Sequence, residues 1–350
     1  MPTIKDVAKY AGVSTGTVSM VINGSKAVKM ETRYRVQEAI DKLGYVPNQY
    51  ARSLVTRKKH VIGVIRQNNF SARDGMKSGY RFDEIPDTYL ADMLDDIVQE
   101  LSRLGYSLLM DVAAWAAGDD PQAQALPPVA QKGRIDGLIW AGGFMTEEQT
   151  ALLKRLEMPV VTIGSRFDCF DYVDTDPEEG MYQMTKHVLN CGHRRIAVIN
   201  GPAASQTSAR KRAGIERAMA EAQCALREDW VEAASFSGLG GYNAMKRLWE
   251  GGARPTAVLT ALDVLAAGAI RFLQENGLQG PCDIAVTGYE DGLLAEYMSP
   301  ALTTVCSHKE KLGRNASRIL AHRLEHPSAQ QVRLIIPPEL IIRRSVQSIL

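Results

Sequence analysis

The chain has 350 residues, of which 45% are hydrophobic, 23% charged and 7% aromatic. This composition excludes wholesale disorder, a collagen-like chain and a continuous coiled coil, and the length allows two or three domains. No apolar run approaches the roughly 18–20 residues of a membrane span. The first residues are charged rather than an apolar leader, so we expect a cytoplasmic protein with no membrane partner.

The cysteines indicate neither a disulfide framework nor a zinc site. They lie more than twenty positions apart, at Cys169, Cys191, Cys224, Cys282 and Cys306. Both kinds of site require cysteines at short, paired spacings. We therefore expect reduced cysteines, no metal and no cofactor.

Charge is distributed unevenly along the chain. Residues 1–60 contain eleven Lys/Arg and four Asp/Glu, a net +7, whereas the other 290 residues contain 30 and 36, a net −6. A cationic segment on an acidic remainder favours binding to a polyanion.

The cationic segment predicts three short helices. The first begins with a capping-box pattern at Thr3 and stops at Gly12. Ser14 is a natural N-cap for the second helix, which ends near Asn23. Apolar residues repeat at helical spacing through a third segment, residues 31–43. The first two helices and the tight turn between them predict a helix-turn-helix.

The solvent face of the second helix suits contact with base edges. It carries uncharged, small or flexible residues: Thr15, Gly16, Thr17, Ser19, Met20 and Asn23. Threonine and methionine can touch thymine methyl groups in the major groove, and asparagine can pair with adenine. Gly16 costs about 1 kcal/mol relative to alanine inside a helix. It either allows close approach of the backbone to DNA or is simply suboptimal.

Seven short segments of this region form a recognisable pattern: Thr3–Ala8, Gly12–Ser14, Thr17–Ser19, Ile22–Gly24, Thr32–Val36, Leu43–Asn48 and Ala51–Leu54. The pattern closely resembles the DNA-binding head of the lactose-repressor (LacI/GalR) family, and the likeness continues to Arg343-Arg344-Ser345. The resemblance implies DNA contacts by Thr3, Ser14, Thr15, Gly16, Thr17, Ser19, Met20, Asn23, Arg33, Tyr45, Asn48, Arg52 and Leu54. Met20 stands where many members carry a basic or hydrogen-bonding residue, so their operator sequences do not transfer.

A hinge helix and linker are predicted at residues 47–60, after a head of residues 1–46. The helical part is about two turns long, and isolated helices shorter than about 12 residues are marginal in water. We expect it to fold only on DNA. The resemblance implies that the paired hinges of a dimer insert Leu54 into the minor groove and kink the duplex. The alternative is that Leu54 belongs to the core of the head.

Beyond residue 60, apolar runs alternate with helical patterns. Strands are predicted near 61–65, 106–112, 137–142, 159–164, 195–200, 257–262 and 284–289, and helices near 90–104, 178–191, 208–222, 239–250 and 263–276. This alternation predicts parallel sheets. The number of strand–helix units is too large for one compact sheet. The expected fold is an all-α head plus an α/β body of two doubly wound subdomains with a cleft at the carboxyl ends of their strands.

The resemblance implies a periplasmic-binding-protein-like body of type I over residues 61–350. Its N-lobe is expected at about 61–164 and 296–325, and its C-lobe at about 165–295 and 326–350. The predicted effector contacts are Phe70, Arg166, Asp176, Arg210, Lys211, Asp263 and Glu290. Lys211 lies three residues before Gly214, where the family carries an effector-binding arginine, and Glu290 replaces the usual aspartate. These departures imply an altered ligand geometry.

The segment 67–89 is longer than the corresponding link in the family and is rich in aromatic residues. Loops longer than about 12–15 residues are commonly functional lids or disordered. The segment is therefore either a lid over the effector site or surface decoration.

Catalytic motifs are chance matches. Ser208 begins an S-x-x-K pattern without the companion motifs of an acylating enzyme, and His322 and His326 lack the glutamate of H-E-x-x-H. We expect no enzymatic activity.

Two hypotheses of different classes follow. The first is a transcriptional regulator, expected to be a repressor of a carbohydrate-metabolism operon. It would bind a palindromic double-stranded operator as a homodimer, with a tetramer as the alternative assembly, and respond to a small-molecule effector. A sugar is the first expected effector and a nucleobase the alternative. The second hypothesis is a small-molecule binding protein or enzyme whose head is vestigial.

Overall fold

The computed structural model describes residues 2–22, 25, 27–45, 59–68, 89–114, 126–131, 133–142, 145, 147–203 and 205–350. The chain divides into two compact units, Met1–His60 and Val61–Leu350, which we call the head and the body. No helix in the described ranges is both long and apolar enough to cross a membrane.

Three helices form the head: α1 (Ile4–Ala11), α2 (Thr15–Ile22) and α3 (Met30–Leu43). Their apolar faces close a small core of Val7, Ala8, Ala11, Val18, Val21, Val36 and Ala39. Gly12 ends α1 and Gly44 ends α3 with φ of +62° and +59°, a left-handed conformation that glycine adopts without strain. The three predicted helices of the head are therefore present.

The first sheet of the body has six strands, all parallel. They are β1 (Val61–Asn68), β2 (Ser107–Ala114), β3 (Gly137–Ala141), β4 (Val160–Ile163), β5 (Asp171–Thr175) and β11 (Arg333–Ile336), in the order β11-β5-β4-β3-β1-β2. The helices that lie between or beside these strands in sequence are α4 (Tyr89–Arg103), α5 (Glu147–Arg155) and α11 (Lys309–Glu325). Side chains from α4, α11 and the sheet share one apolar core, which explains why the central strands β3 and β4 are buried along their whole length.

The second sheet has four parallel strands in the order β7-β6-β8-β9. They are β6 (Ile196–Asn200), β7 (Val231–Ala233), β8 (Ala257–Thr260) and β9 (Ala285–Thr287), accompanied by α6 (Pro177–Asn190), α7 (Gln206–Glu221), α8 (Gly238–Glu250), α9 (Asp263–Glu275) and α10 (Leu293–Tyr297). A short antiparallel pair, β10 (Thr304–Cys306) and β12 (Glu339–Ile341), adjoins this sheet through single bridges to β9 and the residues after it. Two doubly wound subdomains, as predicted, make up the body.

The lobe boundaries differ from those expected at 164/165, 295/296 and 325/326. Strand β5 pairs with β4, and β11 pairs with β5, so residues 165–175 and 326–336 belong with the first lobe rather than the second. Arg323 on α11 connects strand β5 to the first lobe. Its Nε and Nη2 atoms donate hydrogen bonds to the two carboxylate oxygens of Asp171, each at 2.9 Å. Residues 296–306 instead continue the second sheet.

Candidate nucleic-acid interface and ligand cleft

The helix-turn-helix is fixed by local hydrogen bonds at both helix starts. The Asp6 carboxylate accepts hydrogen bonds from the backbone N–H and the hydroxyl of Thr3, both at 2.7 Å. These bonds hold the pKa of Asp6 below its ordinary value. The Ser14 hydroxyl accepts a bond from the Thr17 N–H at 3.1 Å, which satisfies an otherwise unpaired donor at the start of α2.

One face of α2 is presented to solvent and is free of charge. Thr15, Gly16 and Met20 are exposed and Ser19 is half-buried, whereas Val18 and Val21 enter the core of the head. We call Thr15, Gly16, Ser19 and Met20 the reading face. The Thr17 hydroxyl lies 2.9 Å from the Ser14 hydroxyl and so already has a partner within the helix.

Several of the predicted DNA-contacting residues also support the head itself. Arg33 donates a hydrogen bond to the carbonyl oxygen of Ser25 at 2.9 Å and so holds the segment that follows α2. Tyr45 packs against the core of the head, and its N–H bonds to the Ile40 carbonyl oxygen at the end of α3. Asn23, Asn48, Arg52 and Leu54 lie outside the described residues. Their DNA contacts stay predictions.

The carboxyl ends of the two sheets meet at α7, and the predicted ligand cleft falls at this junction. The Thr207 hydroxyl, at the start of α7, donates to the carbonyl oxygen of Gly164, just after β4, at 3.2 Å. Crevices at the carboxyl ends of parallel strands are the usual ligand sites of such folds. Phe70 lies outside the described residues, as do residues 69–88 of the segment 67–89 that was predicted to be a lid or surface decoration.

Two predicted effector-binding arginines are paired with acids across this junction. Arg166 Nε donates to Asp174 Oδ2 at 2.8 Å, and Arg210 Nη1 donates to the same oxygen at 3.1 Å. Arg210 Nη2 reaches Asp176 Oδ1 at 2.9 Å, and that carboxylate also accepts the Glu179 N–H at the start of α6. Burial raises the pKa of Asp174, and the two arginines oppose this effect. Arg210 thus links α7 of the second lobe to β5 of the first.

Lys211 is buried and has contacts inside the chain. Its ammonium group donates to the Ala261 carbonyl oxygen at 2.6 Å and lies 3.7 Å from the centre of the Tyr289 ring. A cation over an aromatic face is attracted by the electron-rich ring. Burial raises the pKa of the Tyr289 hydroxyl above its ordinary value. Lys211 therefore places a single amine, held by Ala261 and Tyr289, where the resemblance expects the planar fork of an arginine.

Asp263 and Glu290 follow β8 and β9 and complete the acidic side of the cleft. Asp263 accepts hydrogen bonds from the Thr304 hydroxyl at 2.6 Å and from the Gly292 N–H at 3.0 Å. Burial raises the pKa of Asp263 to about 6, although these bonds oppose the shift. The Glu290 N–H donates to the Val305 carbonyl oxygen at 2.7 Å, with φ of +112° at Glu290.

A lysine that sequence reasoning missed connects this acidic group to the first lobe. Lys309, at the start of α11, forms an ion pair with Asp92 on α4. Burial acts to lower the pKa of Lys309, but the charges of Glu290, Asp92 and Asp263 outweigh burial, and the pKa is raised. No local motif marks Lys309, because its partners come from three distant segments.

An aromatic ring at the carboxyl edge of the second sheet was also missed. The ring of Phe236, shortly after β7, lies so close to Gly201 that a Cβ atom there would be 2.2 Å from it. Next to it, the buried hydroxyl of Ser208 has no hydrogen-bond partner among the residues that the structure describes. Sequence reasoning missed this position because β7, the strand that precedes it, was not predicted.

Both units match known families. Residues 3–48 match the bacterial regulatory proteins of the lacI family, and residues 185–346 match the periplasmic binding protein-like domain. The transcriptional repressor PurR of Haemophilus influenzae (strain PittEE) is 36% identical over 356 residues, covering 100% of both chains. PurR of Erwinia tasmaniensis is 37% identical over 353 residues, covering 99% of this chain and 97% of that protein.

Two solved structures extend the comparison. The complex of the transcriptional regulator CelR with cellobiose has a TM-score of 0.71 at 28% identity and covers 99% of this chain and 100% of that one. The lac repressor dimer bound to operator and the anti-inducer ONPF has a TM-score of 0.82 at 24% identity, covers 99% of each chain and shows the fold alone.

Head, body and relatives together define a DNA-binding transcriptional repressor with a site for a small-molecule effector. The chain belongs to the lacI family of bacterial regulatory proteins. The resemblance and the fold class inferred from the sequence are confirmed.

Proposed function

We propose that this repressor binds a palindromic operator as a homodimer and that a nucleobase, held between the two lobes of the body, changes its affinity for DNA. The observation that carries the proposal is the likeness to repressors named PurR over the whole chain. The sugar effector expected from the sequence is not supported by these relatives, and the nucleobase alternative fits them better. The cellobiose complex of CelR keeps a sugar as the competing candidate.

The chemistry of the cleft supports a flat ligand with polar edges. A nucleobase has two aromatic faces for stacking and both donors and acceptors on its rim. Phe236 offers a ring at the carboxyl edge of the second sheet, and the Ser208 hydroxyl beside it can donate or accept. Lys211 and Glu290 bring an amine and a carboxylate to the surroundings of Tyr289, after β9 of the same sheet.

The contacts that join the two lobes provide a route by which effector binding changes the affinity for DNA, which we call the switch. The Arg210–Asp174 pair and the Thr207–Gly164 bond both connect the first lobe to α7 of the second. An effector can shift the repressor only if it binds one arrangement of the lobes more tightly than the other. A ligand that contacts residues of α7 is therefore placed to favour or disfavour these bonds, and through them the arrangement of the paired hinges.

Calorimetric titration of the full-length repressor tests the effector. Adenine, guanine, hypoxanthine and uracil are compared with ribose and cellobiose, first alone and then with a duplex selected from a randomised pool. We expect one nucleobase to bind and to change the affinity for the duplex. Binding of a sugar, with no response to any nucleobase, would replace the proposal with the sugar alternative.

A pair of variants connects the effector to the cleft. Stacking of a base on an aromatic ring is worth about 1–3 kcal/mol, so Phe236→Ala should weaken nucleobase binding by about tenfold or more. Trp249→Leu is the matched control, because Trp249 lies at the far end of α8, beneath the Arg254 guanidinium at 3.8 Å. Equal effects of both variants would contradict stacking on Phe236.

The hinge is part of the same proposal and rests on the resemblance. Leu54→Ala should weaken binding to the selected duplex far more than binding to unrelated DNA, because only bent, specific DNA accepts an inserted side chain. Affinity should also fall steeply with salt, since the net +7 of residues 1–60 neutralises phosphates. Equal losses on both kinds of DNA, or a flat salt response, would count against these contacts.

A further inference from the structure

Met20 is exposed on the reading face without a structural reason inside the head. Its side chain is 43% exposed, and it is not among the residues that pack against the core of the head. Helix positions 15, 16, 19 and 20 lie on one side of α2, opposite the buried Val18 and Val21. A single exposed apolar side chain is not in itself evidence of a partner, but on the face predicted to meet base edges it is available for an apolar contact in the major groove.

The composition of α2 restricts how it can distinguish bases. Bidentate recognition uses arginine or lysine at guanine and asparagine or glutamine at adenine. The eight residues Thr15–Ile22 contain none of these. The Thr17 hydroxyl is occupied by Ser14. The base feature that an uncharged, apolar side chain can recognise in the major groove is the C5 methyl group of thymine.

Gly16 leaves the flank of Met20 open. Side chains on a helix lean toward its amino end, so residue 20 lies over the turn that carries residue 16. A Cβ atom at position 16 would meet only the Ser14 hydroxyl oxygen, at 3.6 Å. The thioether therefore has room beside it for a base. We propose that Met20 reads the methyl group of one thymine in each half of the operator, a specificity that rests on the operator binding proposed above.

Uracil substitution isolates this contact. A duplex is first selected from a randomised pool with the full-length protein, and each symmetric pair of thymines is then replaced by uracil, which lacks only the methyl group. Burial of one methyl-sized group is worth roughly three- to fourfold in affinity, so two half-sites should give about ten- to fifteenfold. We expect this loss at one symmetric pair of positions.

Protein variants assign the loss to Met20. Met20→Ala should bind the thymine duplex about tenfold more weakly and should no longer distinguish thymine from uracil. Met30→Ala is the matched control, because Met30 is 75% exposed but begins α3, away from the reading face. It should keep the full preference for thymine. Circular dichroism of both variants verifies that the head is folded.

Two results would overturn the proposal: equal binding of thymine and uracil duplexes by the unaltered protein at every position, or an unchanged thymine preference in Met20→Ala. Failure to select any duplex at all would instead contradict operator binding itself. The two failures are therefore distinguishable.

Discussion

Two glycines within helices, Gly16 and Gly214, show how the reading helix differs from the helix beside the predicted cleft. A Cβ atom on Gly214 of α7 would be 2.0 Å from the carbonyl oxygen of Glu178 on α6, so the close packing of these helices requires glycine. A Cβ atom on Gly16 of α2 would meet the Ser14 hydroxyl oxygen at an ordinary 3.6 Å. The fold explains the first glycine and gives no reason for the second.

Polar groups follow the same division. Around the cleft, Arg210, Lys211 and Asp263 each have partners within the body. On the reading face, Thr15 and Met20 are exposed to solvent. A DNA groove presents a fixed pattern of hydrogen-bond donors, acceptors and methyl groups. The reading face therefore needs no partners within the head before it binds DNA. A cleft that changes shape must instead exchange internal contacts for contacts with its ligand, which couples binding to lobe movement.

The largest effect on stability should come from Gly214→Ala. The added methyl group would meet backbone atoms of α6, which cannot move aside as a flexible side chain can. Overpacking of this kind costs about 3 kcal/mol, which urea denaturation of the full-length protein would measure. Glu216→Ala, on the exposed side of the same helix, is the control and should cost less than about 0.5 kcal/mol. A loss below about 1 kcal/mol for Gly214→Ala would show that α6 and α7 are not closely packed.

Asp263 should make the stability of the body depend on pH. Its pKa is raised from 3.8 to about 6 by burial. Between these values the folded chain holds a proton that the unfolded chain has released, so stability is present below about pH 4 and is lost as the pH rises through about 6. The difference corresponds to about 2–3 kcal/mol.

Comparison with Asp263→Asn isolates this contribution, because asparagine does not titrate. Urea denaturation at pH 5 and pH 7.5 should show the stability of the unaltered protein falling relative to the variant as the pH rises. Lys309 and Asp291 are the charged groups that act on Asp263, and both are present in the two proteins. If the unaltered protein and Asp263→Asn showed the same pH dependence of stability, groups other than Asp263 would be responsible for it.

Arg210→Leu should cause the next largest loss of stability. Asp174 is almost completely buried and would keep only Arg166 as its cationic partner. Removing one member of a buried ion pair costs about 3–5 kcal/mol. Because Arg210 is partly exposed and Arg166 remains, we expect about 2 kcal/mol in urea denaturation. Arg227→Leu, which breaks the exposed pair with Asp229, should cost almost nothing.

The same variant tests the switch. If the Arg210–Asp174 pair stabilises one arrangement of the lobes, Arg210→Leu should also change the ratio of DNA affinities measured with and without nucleobase. An unchanged ratio, alongside a clear loss of stability, would leave the pair a purely structural role.

The sequence predicted local features and missed distant ones. The sequence placed helices α6 to α9 within two residues of their observed bounds. The buried face of each helix is visible as apolar residues that repeat at helical spacing within the segment itself. Strand β5 was missed because its residues Asp171 and Asp174 are polar, and their partners Arg323 and Arg210 lie far away in sequence. The effector role of Asp263 came from the resemblance and stays a prediction, and no local pattern announces the Phe236 ring.

The smallest effect on stability, from Gly16→Ala, is also the sharpest test of the comparison. Because the head has room for the methyl group, alanine should stabilise α2 by up to about 1 kcal/mol and slow the hydrogen exchange of its amides. The same methyl group would stand between the backbone and the bases and should weaken binding to the selected duplex by tenfold or more. Gln37→Ala, on the exposed side of α3, is the control and should leave DNA affinity unchanged. A variant that is more stable and yet binds the duplex as tightly as the original would show that Gly16 is merely suboptimal for the helix, since only close contact with DNA makes the two effects opposite.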